Sequence, residues 1–367
     1  MCPRVAMVCA RYPPHLGGVE THVREVATRI AAQGVDVTVL TTELAGRVPP
    51  TAEGRAPAVR RYHAWPSRSD LYLSPALARE ISRGGYDLVH AQGVHTLLAP
   101  MTLSAAQRSG VPTVLTFHTG GHSSRIRNFL RGAQWHALRP LLRRTAALIA
   151  VCRFEVETFA RGLRLESGRI HLIPNGSDPL PVGPATRDVS GSPLICCVAR
   201  LERYKGHQRL IGAMPALLER EPGAHLVVVG RGGFEHELRR MVQRLRITHA
   251  VTFTAFDPSD REALGALLQA SDVVALMSEY EAHPVAVMEA LALGRKVVVA
   301  DTSGLSELAS EGLATAVPLH ASPQMLAATL ARVAGYPNPV APALPTWDDC
   351  AAQVLGLYRE ILASSAH

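Results

Sequence analysis

The chain has 367 residues, 47% apolar and 19% charged, a soluble globular balance too long for one ordinary core, so two domains are expected. No apolar run approaches a membrane span, and "VAMVCA" near the N-terminus is too short for an exported leader, so the expected location is cytoplasmic, at most peripheral to the inner face of a membrane. Residues 1–183 hold 22 basic and 12 acidic side chains, while residues 184–367 hold 16 and 19. The positive first half suits a phosphorylated substrate or an anionic membrane, or simply solubility, since 36 of the 38 basic residues are arginine. Nucleic acid is not among the expected partners. The six cysteines are scattered, with no C-x-x-C, and read as reduced thiols.

In chain order, "RVAMVCA" reads as a buried strand, followed by a turn and an amphipathic helix from about Val19 to Gln33. Further strands are "VDVTVLTT", "YDLVHAQ", "PTVLTFH" and "ALIAVC". The second half repeats the plan with "LICCVAR", "HLVVVG", "VTFTAF", "DVVALMS" and "KVVVA". Short apolar strands alternating with helical patterns predict α/β domains with mostly parallel sheets covered on both faces. The Pro-, Gly- and Ser-rich stretch before residue 194 reads as a linker. The expected division is 1–180, a linker at 181–193, and 194–345, with 346–367 as a closing helix joined to the first domain. Two Rossmann-like domains place a cleft between them, and ligands bind beyond the carboxyl ends of such strands.

The stretch "EYEAHPVAVMEALALG" follows one such strand, with Glu281 and Glu289 eight positions apart. Pro284 suits a first helical turn, whose free amides at Ala282, His283 and Val285 favour an anion. A carboxylate on each side of an anion site matches a sugar, a diphosphate and a ribose in a row, because carboxylates accept pairs of hydroxyls. The ordinary alternative is a helix with an acidic N-terminus and a surface glutamate. Arg200 and Lys205, in "CVARLERYKGH", offer the cations that a diphosphate leaving group needs.

Weaker signals follow other strands. Gly17 and Gly18 in "YPPHLGGVETH" allow close backbone approach at a helix start, and Gly230 and Arg231 in "GRGG" stand at a strand end; each fits a plain turn as well. His118 ends "LTFH" and is placed to hydrogen-bond a sugar hydroxyl or steady transition-state charge. His118 and His122 are separated by glycines with no helix indicated, so no metal site is expected. No D-x-D, G-x-S-x-G or P-loop occurs. Residues 123–144 hold six arginines and no acid among apolar residues. This reads as a core-packing helix with a basic face, or as a contact for an anionic membrane, interrupted at Pro140.

Together, "PPHLGGVE", "FH" at 117–118, "PNG" at 174–176, "ARLERYKG", "GRGG" and "EAHPVAVMEALALG" ending in "VVVADTSGLSEL" resemble the retaining GT-B glycosyltransferases of family 4 over nearly the whole chain. The resemblance implies a nucleotide-sugar donor, UDP by family frequency, a hydroxyl acceptor of unknown identity, and no metal or other cofactor. Glu289 would hold the ribose. Glu281 with the amides of 282–285 would hold sugar and diphosphate, Arg200 and Lys205 the diphosphate, and His118 with Gly17–Gly18 the acceptor side. Ala282-His283 stands where glycine and an aromatic are common, and Ala199 where glycine is common. A sugar-nucleotide epimerase on the same fold and a non-catalytic two-lobed sugar- or nucleotide-binding protein are the competing readings.

Overall fold

The computed structural model describes residues 2–15, 17–43, 57–66, 71–118, 125–184, 191–257 and 260–365, with the backbone alone over 125–133. The chain divides into two compact units. Among the described residues, the first holds those up to His118, 129–176 and those from Pro345; the second holds 125–128 and the residues from Ser177 to Leu344.

The first unit is built on β1 (Arg4–Cys9), β2 (Asp36–Glu43), β3 (Ala58–His63), β4 (Leu88–Gln92), β5 (Thr113–Thr116), β6 (Ala147–Ala150) and β7 (Ile170–Leu172). They pair in parallel in the order β3-β2-β1-β4-β5-β6-β7. β4, β5 and β6 are buried at every position, as expected of strands covered on both faces. The strand order reverses between β1 and β4, where Rossmann-like sheets open to ligands. The C-terminal helix Trp347–Ser365 packs on the helix Gly18–Ala32 of this unit. Gly176 of "PNG" makes room for it: a Cβ there would stand 2.3 Å from the Trp347 backbone.

The second unit holds β8 (Leu194–Val198), β9 (His225–Val229), β10 (Val251–Thr254), β11 (Val273–Leu276), β12 (Lys296–Asp301) and β13 (Thr315–Pro318), all parallel, ordered β10-β9-β8-β11-β12-β13. Its switch point lies between β8 and β11. One continuous apolar core fills it, from Leu180 to Val333.

The structure differs from the sequence reading in three places. Leu180 is buried in the second core, and Gly265 lets a helix of this unit pack on the Pro181 carbonyl. The chain therefore joins the second unit before the stretch 181–193, whose residues 185–190 lie outside the described residues. Pro140 does not break its helix, which runs from Arg125 to Arg143. β3, β7 and β13 were not among the expected strands.

Candidate active site

In the second unit, the candidate residues gather at the ends of β8 and β11. The segment after β8 carries Arg200 and a short 3-10 turn, Arg203–Lys205. Gly206 ends that turn at φ 77, and a Cβ on it would stand 1.8 Å from the Met277 carbonyl oxygen. Only glycine allows this left-handed conformation and backbone approach together. The Glu279 N–H donates to the Tyr204 carbonyl at 2.7 Å. Lys205 is thereby delivered to Glu281, Nζ to Oε1, at 2.6 Å, with their side chains 15% and 8% exposed.

Ser278 Oγ donates to the same Oε1 at 2.7 Å. Arg200 Nη2 donates to the Tyr204 hydroxyl at 2.8 Å, and the Lys205 ammonium lies 5.2 Å from the Tyr204 ring centre. Tyr204 thus ties the two cations together. Burial opposes the Lys205 ammonium, but Glu281 and Tyr204 outweigh it and hold its pKa above the ordinary lysine value.

The segment 278–284 is braced by the start of the helix Ser303–Ser310, which follows β12. Glu281 N–H donates to Ser303 Oγ at 2.9 Å, and Gly304 N–H to the Glu281 carbonyl at 2.9 Å. A Cβ on Gly304 would stand 1.8 Å from the Ala282 carbonyl oxygen. Pro284 precedes the helix Val285–Ala292 as its cap and is not its first residue. The helical bonds begin with the Val287 and Met288 amides, both donating to the Pro284 carbonyl, so the Val285 and Ala286 amides precede the helical ladder. Burial pushes the His283 imidazole down to about 4. Glu289, on the second turn, is 5% exposed and paired with Arg261.

Gly230 (φ 147) and Gly232 sit against the Ala199 and Leu201 carbonyls, where Cβ atoms would approach to 2.0 and 2.3 Å. That loop packs on the Arg200 segment through backbone, and Arg231 is exposed.

In the first unit, Gly17 caps the helix Gly18–Ala32 in extended conformation, and the Glu20 carboxylate folds back over it. The helix carries His22, whose Nδ1 lies 2.9 Å from Asn175 Oδ1 of "PNG" and whose ring lies 4.5 Å from that of His118. His118, just past β5, is buried at φ 45, a strained conformation for a side-chain-bearing residue. Its Nε2 lies 2.8 Å from Gln92 Oε1. Burial, then His22, His90 and His95, hold its pKa well below the ordinary histidine value. His122 lies outside the described residues. Among the described residues, no group of three or more histidine, cysteine or acidic side chains is gathered as for a metal, and no helix is long and apolar enough to cross a membrane.

Sequence reasoning did not single out Tyr204, Ser278, Ser303, Arg261, His22 or Gln92. Ser278 and Ser303 lie within quoted motifs and carried a signal; Arg261 lies in an ordinary helix start and carried none.

Two parallel-sheet domains, each with its motif residues at the carboxyl ends of the strands around its switch point, are the GT-B architecture, and two family models with a 30% identical relative show that the chain belongs to the glycosyltransferases. Residues 16–179 match the Glycosyltransferase Family 4 model and residues 185–335 the Glycosyl transferases group 1 model. The chain is 30% identical over 343 residues to a glycogen synthase of Mycobacterium tuberculosis, covering 84% of this chain and 80% of that one. It is 28% identical to a D-inositol 3-phosphate glycosyltransferase of Actinosynnema mirum over 337 residues, 81% of this chain and 79% of that one. Among solved structures, sucrose-phosphate synthase from Thermosynechococcus elongatus aligns with TM-score 0.78 at 22% identity, covering 99% and 100% of the two chains. Anabaena HepE in complex with UDP and glucose aligns at 0.73 and 19%, covering 99% of each.

Proposed function

We propose that the chain is a retaining, metal-independent glycosyltransferase that moves a hexosyl group from a UDP-sugar to a hydroxyl acceptor. The observation that carries the donor reading lies wholly within the second unit. Lys205 and Ser278 both engage Glu281 Oε1, so Oε2 remains an acceptor for a sugar hydroxyl. Lys205 has three N–H bonds and spends one on Glu281, leaving two for phosphate oxygens. The Val285 and Ala286 amides would add donors, and Glu289, on the next turn, would take the ribose diol. Arg200 and Lys205 supply the positive charge that a departing diphosphate requires, the service a bound metal performs elsewhere. Retention follows the family resemblance, in which the acceptor hydroxyl enters on the face the leaving group vacates and the leaving phosphate takes its proton. HepE, the fold neighbour with UDP and glucose bound, supports the choice of nucleotide.

In the first unit, a neutral His118 acts as a hydrogen-bonding group and not as a cation. The Glu20 carboxylate over Gly17 favours a hydroxyl ligand there over a phosphate. The acceptor is a small sugar or natural product, or a lipid-linked or phosphorylated glycan; the basic stretch 123–144 suits the latter at an anionic membrane surface.

The test is thermal unfolding with UDP, GDP, ADP, dTDP and CDP, with and without magnesium. A nucleotide at a hundredfold excess over its Kd stabilises the fold by about 2.7 kcal/mol. Magnesium-independent stabilisation by UDP alone is expected. No shift with any nucleotide would sink the donor site, and a shift needing magnesium would sink its metal independence.

A further inference from the structure

β4 places His90 and Gln92 two residues apart, so both side chains emerge on one face of the sheet. Their contacts form a chain: His118 Nε2 to Gln92 Oε1 at 2.8 Å, Gln92 Nε2 to His90 Nε2 at 3.2 Å, and His90 Nδ1 to the Tyr358 hydroxyl at 2.6 Å. Thr116, paired with Gln92 in the β4–β5 register, sets its hydroxyl 2.8 Å from the same His90 Nε2. All of these groups are buried.

A primary amide has one accepting and one donating end. Its oxygen requires an N–H from His118 Nε2; its NH2 requires a lone pair on His90 Nε2. A neutral imidazole has one of each, so the proton of His90 sits on Nδ1 and donates to Tyr358. We propose that Gln92 is a positioning residue that locks His118 and His90 into opposite neutral tautomers, His118 with its proton on Nε2 and its lone pair on Nδ1, and that the C-terminal helix anchors the lock through Tyr358. Burial and the neighbouring His22 ring agree with this by keeping both histidines uncharged, His90 down to about 3, with His90 and His95 adding to the effect on His118. His118 then meets a ligand as an acceptor, for a hydroxyl proton, and carries no charge into the reaction. That use rests on the glycosyltransferase reading; the tautomers do not.

The experiment is long-range 1H–15N correlation of ring-labelled histidines in the full chain between about pH 6 and 9, with signals assigned from His118→Gln and His90→Gln. The wild type should show a protonated Nε2 on His118, a protonated Nδ1 on His90, and no titration of either. In Gln92→Glu, a carboxylate accepts from both rings, so His90 should switch to its Nε2–H form while His118 keeps its own. In Gln92→Leu, His118 should become a mixture of tautomers. The same tautomer on both rings of the wild type, or the reversed pair, overturns the proposal. So does a Gln92→Glu spectrum unchanged at His90. If Gln92→Leu fails to fold, the wild type and Gln92→Glu still decide. Tautomers as stated with no nucleotide binding would refute the enzyme reading and leave the lock standing; nucleotide binding with the wrong tautomers would do the reverse.

Discussion

Removing the Lys205 ammonium should strand Glu281 in a place built for an ion pair. The charges stand 2.6 Å apart with side chains 15% and 8% exposed. At an effective dielectric of about 20, that separation gives a gross attraction of about 6 kcal/mol. Desolvation offsets much of it, and losing one partner of a buried pair costs about 3–5 kcal/mol. Ser278 still donates to the carboxylate in the variant, so Lys205→Met should fall near the lower end, about 3 kcal/mol. For a domain of this size that is a Tm lower by about 6–12 °C.

The double variant Lys205→Met/Glu281→Gln separates the cause. A neutral amide at 281 needs no cation and still accepts from Ser278, so most of the lost stability should return, with a coupling energy of about 2–3 kcal/mol in the cycle. On the proposed donor site nucleotide binding should not return, because the cation assigned to the diphosphate is gone. Thermal unfolding of the four proteins, with and without UDP, reads both quantities. A double variant as unstable as Lys205→Met would refute the stranded-carboxylate argument, and one that regained UDP stabilisation would remove Lys205 from the diphosphate.

The same pair predicts a pH dependence. The Lys205 pKa is raised on folding, so its contribution is present below the ordinary lysine value of 10.5 and lost only as pH rises beyond it. The Tm gap between wild type and Lys205→Met should stay constant through neutral pH and close in the alkaline limb; a gap that stayed open through the alkaline limb would contradict it. Glu289→Ala should weaken UDP binding by about 10–100-fold, a loss of about 1.5–3 kcal/mol typical of hydrogen bonds to a charged group, as isothermal titration would measure; normal binding would take the ribose away from Glu289. Gly304→Ala should both destabilise the fold and weaken UDP binding by displacing the Glu281–Ala282 backbone. Gly312→Ala, at φ 74 with open space around it, should cost about 1 kcal/mol and leave binding intact. Equal effects of the two alanines on binding would show that the brace behind Glu281 does not matter.

Much of the fold was legible because buried parallel strands are written as short apolar runs. "HLVVV" and "KVVVA" admit little else. β3 escaped because it is an edge strand, "AVRRYH", with no residue fully buried. Its arginines bond along the sheet rim, Arg60 to Glu80 and Arg61 to Glu43. β7 and β13 are also edges, three and four residues long. Pro140 misled for a different reason: a proline removes one hydrogen bond and crowds one carbonyl, and the helix around it survives with Leu138 and Leu142 buried on either side.

The glycines of the second unit show where motif reading runs out. Local sequence marks "GRGG" as a place for ligand approach, yet Gly230 is spent on the Ala199 carbonyl and Gly232 on Leu201, and two unremarked glycines are spent likewise, Gly206 on the Met277 carbonyl and Gly304 on Ala282. They draw together the segments that follow β8, β9, β11 and β12, so that charged side chains carried on separate strands meet. Lys205 and Glu281 lie 76 residues apart, and nothing in either stretch announces the other. The long-range partner is invisible because the closure that creates it is a property of strand order. The same holds for His118, whose protonation depends on an amide from β4 and, through it, on a tyrosine in the last helix. Residue types near a strand end reveal that a site exists; which proton each side chain carries is decided by long-range side-chain contacts that only the assembled sheet provides.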